Sequence, residues 1–207
     1  MTRSIGFMVL MIMVILCGCE KSNVGYDVHK KIYDTYQSIP GYVAQAEITS
    51  YSNHSENTYQ VKQYYQYPGM TRTENIAPDT LAGVVTIVNG DNAKVVSPME
   101  ENPIHVSGIS SGDMDYLFVS SFFQLYYKSE ETSIRTSTAE GGNTVVLSAE
   151  TGSSNPYRKS IALTIDSKTL NPVSMEIMGE DLKTYIKVTY TSFEVVQDLD
   201  PALFSVE

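Results

Sequence analysis

The sequence predicts an α+β domain in which one strongly curved antiparallel sheet of about ten strands, an incomplete β-barrel, is closed by two helices. Three observations support this prediction. Short segments of alternating apolar and polar residues recur at regular spacing, with turn residues between them. Two other segments repeat their apolar residues at helical spacing. The chain also contains 15 Tyr and no Trp, with frequent Thr, Ser and Val, which is typical of a sheet-rich protein.

The first residues have the pattern of an export signal. Arg3 precedes Ile5–Leu16, a run of apolar and small residues that is too short to span a bilayer and suits a signal-peptide core. The motif Leu-Cys-Gly-Cys that ends at Cys19 resembles a bacterial lipobox. The resemblance implies that the Cys19 thiol is diacylated, that residues 1–18 are removed and that residues 19–23 form a tether. An ordinary signal peptide or short anchor that carries a cysteine is the alternative.

The remaining chain, residues 24–207, is long enough for one domain with a sizeable core. Its composition excludes some classes of function. The net charge of −10 argues against nucleic acid as a partner, because phosphate binding needs clustered Lys and Arg. Cys17 and Cys19 are the only cysteines, so the domain is expected to have neither a disulfide nor thiol chemistry.

Two helices are predicted. Val24–Ser38 forms the first, because Val24, Val28, Ile32 and Tyr36 are spaced by four. Asp113 is the expected cap of the second helix, which extends to Tyr126. One side of this second helix carries the candidate cavity or plug residues Met114, Leu117, Phe118, Phe122 and Leu125. Because the helix is so apolar, we expect it to be buried.

Ten strands are predicted between turn signals such as Asn89-Gly90, a strong hairpin dipeptide. Pro98–Gly112 has no period and is predicted to be the longest loop. The predicted strands are Val43–Tyr51, Tyr59–Tyr67, Met70–Ile76, Gly83–Val88, Ala93–Ser97, Ile134–Thr138, Thr144–Ala149, Ser160–Ile165, Val173–Met178 and Thr184–Thr191.

No motif for catalysis or metal binding is evident in the sequence. His29, His54 and His105 are isolated from one another and are expected to be surface residues. The sequence contains no His-x-x-x-His motif and no glycine-rich phosphate loop ahead of a helix. We therefore expect a protein that is not an enzyme and needs no cofactor, although carboxylates that converge from distant strands remain an alternative.

Three stretches, taken with the order of elements, resemble the LolA/LolB/RseB-like lipoprotein superfamily. They are Pro68–Arg72, the turn Asp166–Pro172, and the tail Phe193–Phe204 with Leu199, Leu203 and Phe204 as plugs. The resemblance covers nearly all of residues 24–207 and implies a LolA-like half-barrel around an apolar cavity. It leaves two roles for Arg72 at the rim, which are to satisfy backbone carbonyls or to contact a partner.

Within that superfamily, the Tyr-rich segment Tyr59–Val88 is most similar to the clostridial germination lipoproteins of the GerS type. Thr73 also departs from the Gram-negative carriers, which tend to have Trp there. This resemblance implies a protein partner, the cortex-modifying N-acetylmuramoyl-L-alanine amidase of the CwlD type, and a place on the outer face of a spore-former's membrane. The alternatives are a lipid- or lipoprotein-binding protein and an envelope-stress sensor of the same fold. Edge strands of an open barrel would also allow a homodimer by strand pairing or exchange.

Lipidation of Cys19 leads to the first prediction. The protein extracted from membranes should exceed the mass of polypeptide 19–207 by a diacylglyceryl group, and Cys19→Ala should become soluble because paired acyl chains are needed for stable anchoring. Intact-mass spectrometry and detergent partitioning check both results. A Cys19→Ala chain that is still cut before residue 19 and still enters the detergent phase would contradict the prediction.

Overall fold

A single antiparallel sheet of 11 strands organises the part of the chain that the computed structural model describes, residues 24–108, 115–139 and 142–207. Two α-helices accompany it in those residues, α1 (Val24–Tyr36) and α2 (Val119–Tyr126). The strands are β1 (Gly41–Tyr51), β2 (Glu56–Gln66), β3 (Met70–Ala77), β4 (Val85–Asn89), β5 (Asn92–Val96), β6 (Ile104–Ser107), β7 (Thr132–Ala139), β8 (Gly142–Glu150), β9 (Ser160–Asp166), β10 (Pro172–Met178) and β11 (Thr184–Val196). Short 3-10 turns cover Asp115–Leu117 and Pro201–Phe204.

The sheet is open, with the order β6-β5-β4-β3-β2-β1-β11-β10-β9-β8-β7. Strand β1 is central and pairs with both β2 and β11. We call the end of the sheet where β1 begins at Gly41 the mouth end, and the end where β1 stops at Tyr51 the base end. The β2–β3 and β4–β5 turns both lie at the mouth end.

The sheet curves around α2. If it were flat, β2 and β8 would lie about 24 Å apart, since five steps of about 4.8 Å separate them. Yet α2 lies against β8 and β9, while Leu117, just before the helix, is hydrogen-bonded to Gln63 on β2. A helix of eight residues is only about 12 Å long, so the sheet must wrap around it. The predicted half-barrel closed by helices is therefore confirmed.

Alternation along the strands separates an apolar inner face, which meets the helices, from an outer face. The buried inner residues are Tyr42, Ala44, Ala46, Ile48, Val61, Tyr65, Val145, Leu147, Ala149, Ile161, Leu163, Ile165, Met175, Ile177 and Val188. Most are aliphatic, so their burial provides hydrophobic stabilisation for a domain whose residues 24–207 contain no cysteine.

Helix α1 runs antiparallel to α2 on this inner face. The His29 ring contacts Tyr126, Tyr33 contacts Tyr127, and the Tyr36 ring stacks on Phe123 with the ring centroids 4.4 Å apart. The hydroxyl of Tyr36 donates to the carbonyl of Leu170 at the β9–β10 turn, 2.7 Å away. Helix α1 therefore ends near the mouth end and starts nearer the base end.

Two details of the predicted layout are wrong. Strand β6 lies inside the predicted loop Pro98–Gly112, where it pairs with β5. The second helix begins at Val119 and not directly after Asp113. Its N-cap residue is Phe118, which is extended (φ −107°, ψ 139°) and makes no side-chain capping hydrogen bond. Asp113 and Met114 lie outside the described residues. Among the residues that are described, no helix is long and apolar enough to cross a lipid bilayer.

Phe122 lies at the centre of the packed interior and has no solvent exposure. Phe122→Ala should lower the free energy of unfolding by about 3–5 kcal/mol, the usual cost of a Phe-to-Ala cavity. Urea unfolding measures the change, and Gln124→Ala, at an exposed position of the same helix, should cost no more than about 0.5 kcal/mol. Equal effects from the two variants would show that α2 does not fill the half-barrel.

Candidate protein-binding site

The interior of the half-barrel is filled by α2. Val119 and Phe122 are fully buried, and Phe118 and Phe123 are 5% and 3% exposed. Phe122 packs edge-on against Phe123 with the ring centroids 5.3 Å apart and stacks on Tyr126 at 5.6 Å. An acyl chain would have to displace these rings before it could lie along the inner face.

Two hydrogen bonds from the inner face hold the start of α2. The Val119 N–H donates to the Tyr42 hydroxyl at 3.1 Å, and the Gln63 amide Nε2 donates to the Leu117 carbonyl at 3.0 Å. Burial raises the pKa of Tyr42 far above its ordinary value, so the hydroxyl stays neutral. These two bonds satisfy backbone groups that a buried helix start would otherwise leave without partners.

A cleft of about 320 Å³ opens at the mouth end, between α2 and two turns of the sheet. Its walls include Pro68–Thr71, part of the motif that carries the family resemblance, and the β4–β5 hairpin around Gly90. The two-residue turn is Gly90-Asp91, one position later than the dipeptide expected from the sequence, because Asn89 still pairs with Asn92. Gly90 has φ +59°, and glycine is favoured at this first position of the turn. Ser121 and Gln124 of α2 form the facing wall. Sequence reasoning missed these two polar residues because it ranked the helix by its apolar side alone.

Arg72 lies on the outer face of β3 and directly follows Thr71, which lines this cleft. Its guanidinium contacts Glu74 Oε1 at 2.8 Å and donates to the Leu203 carbonyl at 3.2 Å. The Tyr64 hydroxyl donates to the other oxygen of Glu74 at 3.2 Å. The side chain of Arg72 is only 18% exposed. These contacts favour the interpretation in which Arg72 satisfies backbone carbonyls.

The C-terminal tail crosses the outer face of β3–β6. Asn89 Nδ2 donates to the Phe204 carbonyl at 3.2 Å, the His105 ring nitrogen lies 3.1 Å from the Val206 carbonyl, and Lys94 Nζ donates to the Glu207 carbonyl. Phe204 is 1% exposed, and it does not belong to the buried cluster of the inner face. The tail is therefore held by one side chain from each of the four successive strands β3 to β6, and Arg72 is the one from β3.

The remaining predicted site residues differ in their environment. Leu117 and Leu125 are half-buried and pack against the core, beside the buried Phe118 and Phe122. Cys19 and Met114 lie outside the described residues. Among residues 24–108, 115–139 and 142–207, no group of three or more His, Cys, Asp or Glu is placed to hold a metal ion.

The sheet and the helices define a protein of the open, antiparallel half-barrel class. Within this class, the chain belongs to the sporulation protein YdcC-like family, whose model matches residues 2–204. No curated protein matches the chain.

Many solved structures match most of the chain, and three of them are described here. One is the structure of the CwlD amidase from Clostridioides difficile in complex with the GerS lipoprotein, with 25% identity over 86% of this chain and 98% of the matching chain, and a TM-score of 0.53. The others share the fold at low identity. An uncharacterized conserved protein from Thermus thermophilus has 11% identity, coverage of 85% and 91%, and a TM-score of 0.56. A DUF1329 family protein from Desulfovibrio piger has 12% identity, coverage of 88% and 96%, and a TM-score of 0.52.

Arg72→Ala should loosen the tail. The substitution removes a charge-assisted hydrogen bond to the Leu203 carbonyl, so we expect a loss of about 1.5–3 kcal/mol in the free energy of unfolding. We also expect faster hydrogen exchange for residues 203–207. Arg135→Ala, at an exposed position on β7, is the matched control and should change neither. Unchanged exchange in the tail of Arg72→Ala would mean that other contacts hold it.

Proposed function

We propose that this protein is a membrane-anchored, non-catalytic partner of a spore-cortex N-acetylmuramoyl-L-alanine amidase of the CwlD type. In this role it supports cortex modification and hence germination. It is held on the outer face of a membrane by acylated Cys19. The observation that carries the proposal is the filled interior, in which Val119 and Phe122 occupy the space that a lipid cargo would need.

Family and fold support the same role. The chain belongs to a sporulation family, and a solved complex of an amidase with a lipoprotein contains a chain that matches it over 86% of its length. That complex consists of the amidase and the lipoprotein of Clostridioides difficile, and the corresponding pair is our proposal for this chain.

The positions of the three histidines support a non-catalytic role. His29 contacts the Tyr126 ring, His54 lies in an exposed turn, and His105 is bound to the tail. Each histidine therefore lies in a different part of the described structure. An enzyme would need a nucleophile, a base and an orienting group within hydrogen-bond reach of one another.

The cleft at the mouth end is our proposed contact for the partner. It combines turn backbone with the polar side chains of Ser121 and Gln124, and its lining is preorganised by a short hairpin and a packed helix. A preorganised surface loses little conformational entropy when it binds. The exposed edges of β6 and β7 have backbone groups that a homodimer or a partner strand could pair with, and such pairing belongs to the same proposal.

The test is capture of the tagged, full-length protein from sporulating cells, with the bound proteins and lipids identified by mass spectrometry. The wild-type protein should retain the amidase. Gln124→Arg should retain much less, because the long cation fills the cleft from an exposed position that tolerates it. Asn53→Arg, in an exposed turn at the base end, is the matched control and should retain the amidase.

Two results would overturn the proposal. Stoichiometric lipid without a protein partner would indicate a lipid carrier, and an anti-sigma factor in place of the amidase would indicate an envelope-stress sensor. Equal amidase recovery with Gln124→Arg would leave the partner in place and exclude the mouth cleft as its contact.

A further inference from the structure

A second cleft, of about 380 Å³, opens to solvent at the base end of the sheet. One wall is the β1–β2 turn with Tyr51 and Asn53, and the other is the β8–β9 loop with Asn155 and Tyr157. Tyr185 of β11 lies between them. The volume is within the range of about 300–1,000 Å³ that small-molecule sites occupy. We call this site the base cleft.

Three tyrosine rings give the base cleft most of its apolar surface. Tyr157 is 55% exposed and Tyr51 is 36% exposed, so both present ring surface to solvent. The Tyr157 ring meets that of Tyr185 edge-on, with the centroids 4.8 Å apart and 66° between the ring planes. Rings inclined in this way form a corner that fits a compact, ring-shaped ligand. Proline-rich peptides bind instead in extended grooves.

Amide side chains on opposite walls supply the directional contacts. The side chains of Asn53 and Asn155 each carry an N–H donor and a carbonyl acceptor. Asn155 Oδ1 accepts from the Tyr157 N–H at 2.9 Å, which holds this amide beside the ring. The site therefore suits a ligand with an apolar ring face and with both donors and acceptors at its rim. A pyranose sugar has this structure, because its C–H groups lie on the ring faces and its hydroxyls at the edge.

The charges near the base cleft disfavour an anionic ligand. Glu56 is exposed and lies opposite Tyr51 in the sheet. Glu180 and Asp181 are exposed in the β10–β11 turn. The Lys183 ammonium lies 3.2 Å from Asp181, so its charge is balanced within that turn. These residues offer no excess of positive charge, which a phosphate or an anionic lipid would need. An uncharged sugar does not need it.

An N-acetylated sugar matches the lining in more detail than a plain hexose. Its acetamido group is uncharged, and its N–H and carbonyl complement the side-chain amides of Asn53 and Asn155. Its methyl group is apolar, and Ile186 adds an aliphatic contact to the tyrosine rings of the cleft. The site thus combines ring surface, amide groups and a place for a methyl group.

The walls of the base cleft are preorganised. Ser52 Oγ accepts from the Ser55 N–H at 3.0 Å and closes the β1–β2 turn. The β8–β9 loop is joined to the β10–β11 turn by a 2.9 Å hydrogen bond to the Pro156 carbonyl. A Cβ at Gly179 would lie 2.8 Å from that carbonyl oxygen and 2.6 Å from Tyr185 Cε2, so glycine permits this approach. Walls held in this way lose little conformational entropy when a ligand binds.

We propose that the base cleft binds an N-acetylated sugar of a glycan strand, with the sugar ring against Tyr157 and Tyr185 and the acetamido group near Asn53 and Asn155. Sugar binding is argued from the cleft alone. The identity of the strand as peptidoglycan rests on the proposed function, because the amidase named there acts on N-acetylmuramoyl groups. The mouth and base clefts lie at opposite ends of β1, about 33 Å apart, so one molecule can hold amidase and glycan together.

Titration of the full-length lipidated protein with the tetramer of N-acetylglucosamine tests the proposal. The protein is kept in a detergent without a sugar headgroup, and binding is followed by calorimetry and saturation-transfer NMR. We expect saturable binding, with transfer to the acetyl methyl and ring C–H protons. The tetramer of glucose with the same linkage lacks the acetamido group and should bind several-fold more weakly. Monomeric N-acetylglucosamine should also bind more weakly than its tetramer.

Tyr157→Ala should raise the Kd for the tetramer about tenfold or more, as truncation of a central aromatic contact does. Its melting temperature should stay close to that of the wild type, because the side chain is largely exposed. Tyr67→Ala is the matched control, since Tyr67 is a 66% exposed tyrosine at the mouth end, and it should leave the Kd unchanged. Asn53→Arg is a second variant, in an exposed turn, whose long side chain fills the cleft.

Several results would overturn the inference: no saturable binding of the tetramer, equal binding of the glucose tetramer, or equal effects of Tyr157→Ala and Tyr67→Ala. Equal affinity for the monomer would indicate a free amino sugar and contradict the glycan strand. Loss of amidase capture in Tyr157→Ala, with sugar binding intact, would make the cleft a protein contact.

The two roles fail separately. Asn53→Arg should lose the sugar and keep the amidase, whereas Gln124→Arg should do the reverse. Sugar binding is measured without the amidase, so its failure leaves the partner role standing, and loss of the partner role leaves the sugar site standing.

Discussion

The hydrogen bond between the Val119 N–H and the Tyr42 hydroxyl, 3.1 Å long, joins the central strand to the start of α2. An isolated helix of eight residues is not stable in water, so α2 forms only because the sheet holds it. Tyr42 is itself buried between Tyr65 and Phe193, with ring centroids 5.3 and 4.7 Å away. The position of the hydroxyl is therefore determined by packing.

The position of α2 in turn determines what the half-barrel can bind. A curved sheet of this kind encloses apolar volume on its inner face, and this volume can hold either a ligand or part of the chain itself. Here the Phe122 ring packs edge-on against Phe123, the Tyr36 ring stacks on Phe123, and a hydrogen bond from Gln63 joins the preceding turn to β2. The mouth cleft remains outside the filled interior as a surface for recognition, which argues for a protein partner and against a carried lipid.

Sequence periodicity predicted most of the sheet correctly, because strands with one buried face alternate strictly and their turns carry recognisable dipeptides. It missed β6, whose four residues are too short for a periodic signal and follow Pro103. It also extended the second helix too far toward the N-terminus. The helix begins at Val119 because of Tyr42, which is 77 positions away in the chain, and no local pattern records such a contact.

The site was predicted less completely for the same reason. The apolar residues of α2 were identified from their spacing, and Phe118 and Phe122 are buried. The bond from Arg72 to the Leu203 carbonyl joins residues 131 positions apart, and no local pattern in the sequence indicates it.

Hydrogen exchange of the α2 amides, with and without phospholipid, tests the filled half-barrel most directly. The account predicts that amides in the Phe122–Tyr126 segment exchange only through global unfolding, and that added phospholipid leaves their rates unchanged. Exchange through a local opening of α2, slowed by phospholipid that takes its place against the sheet, would contradict it and show an interior built to carry lipid.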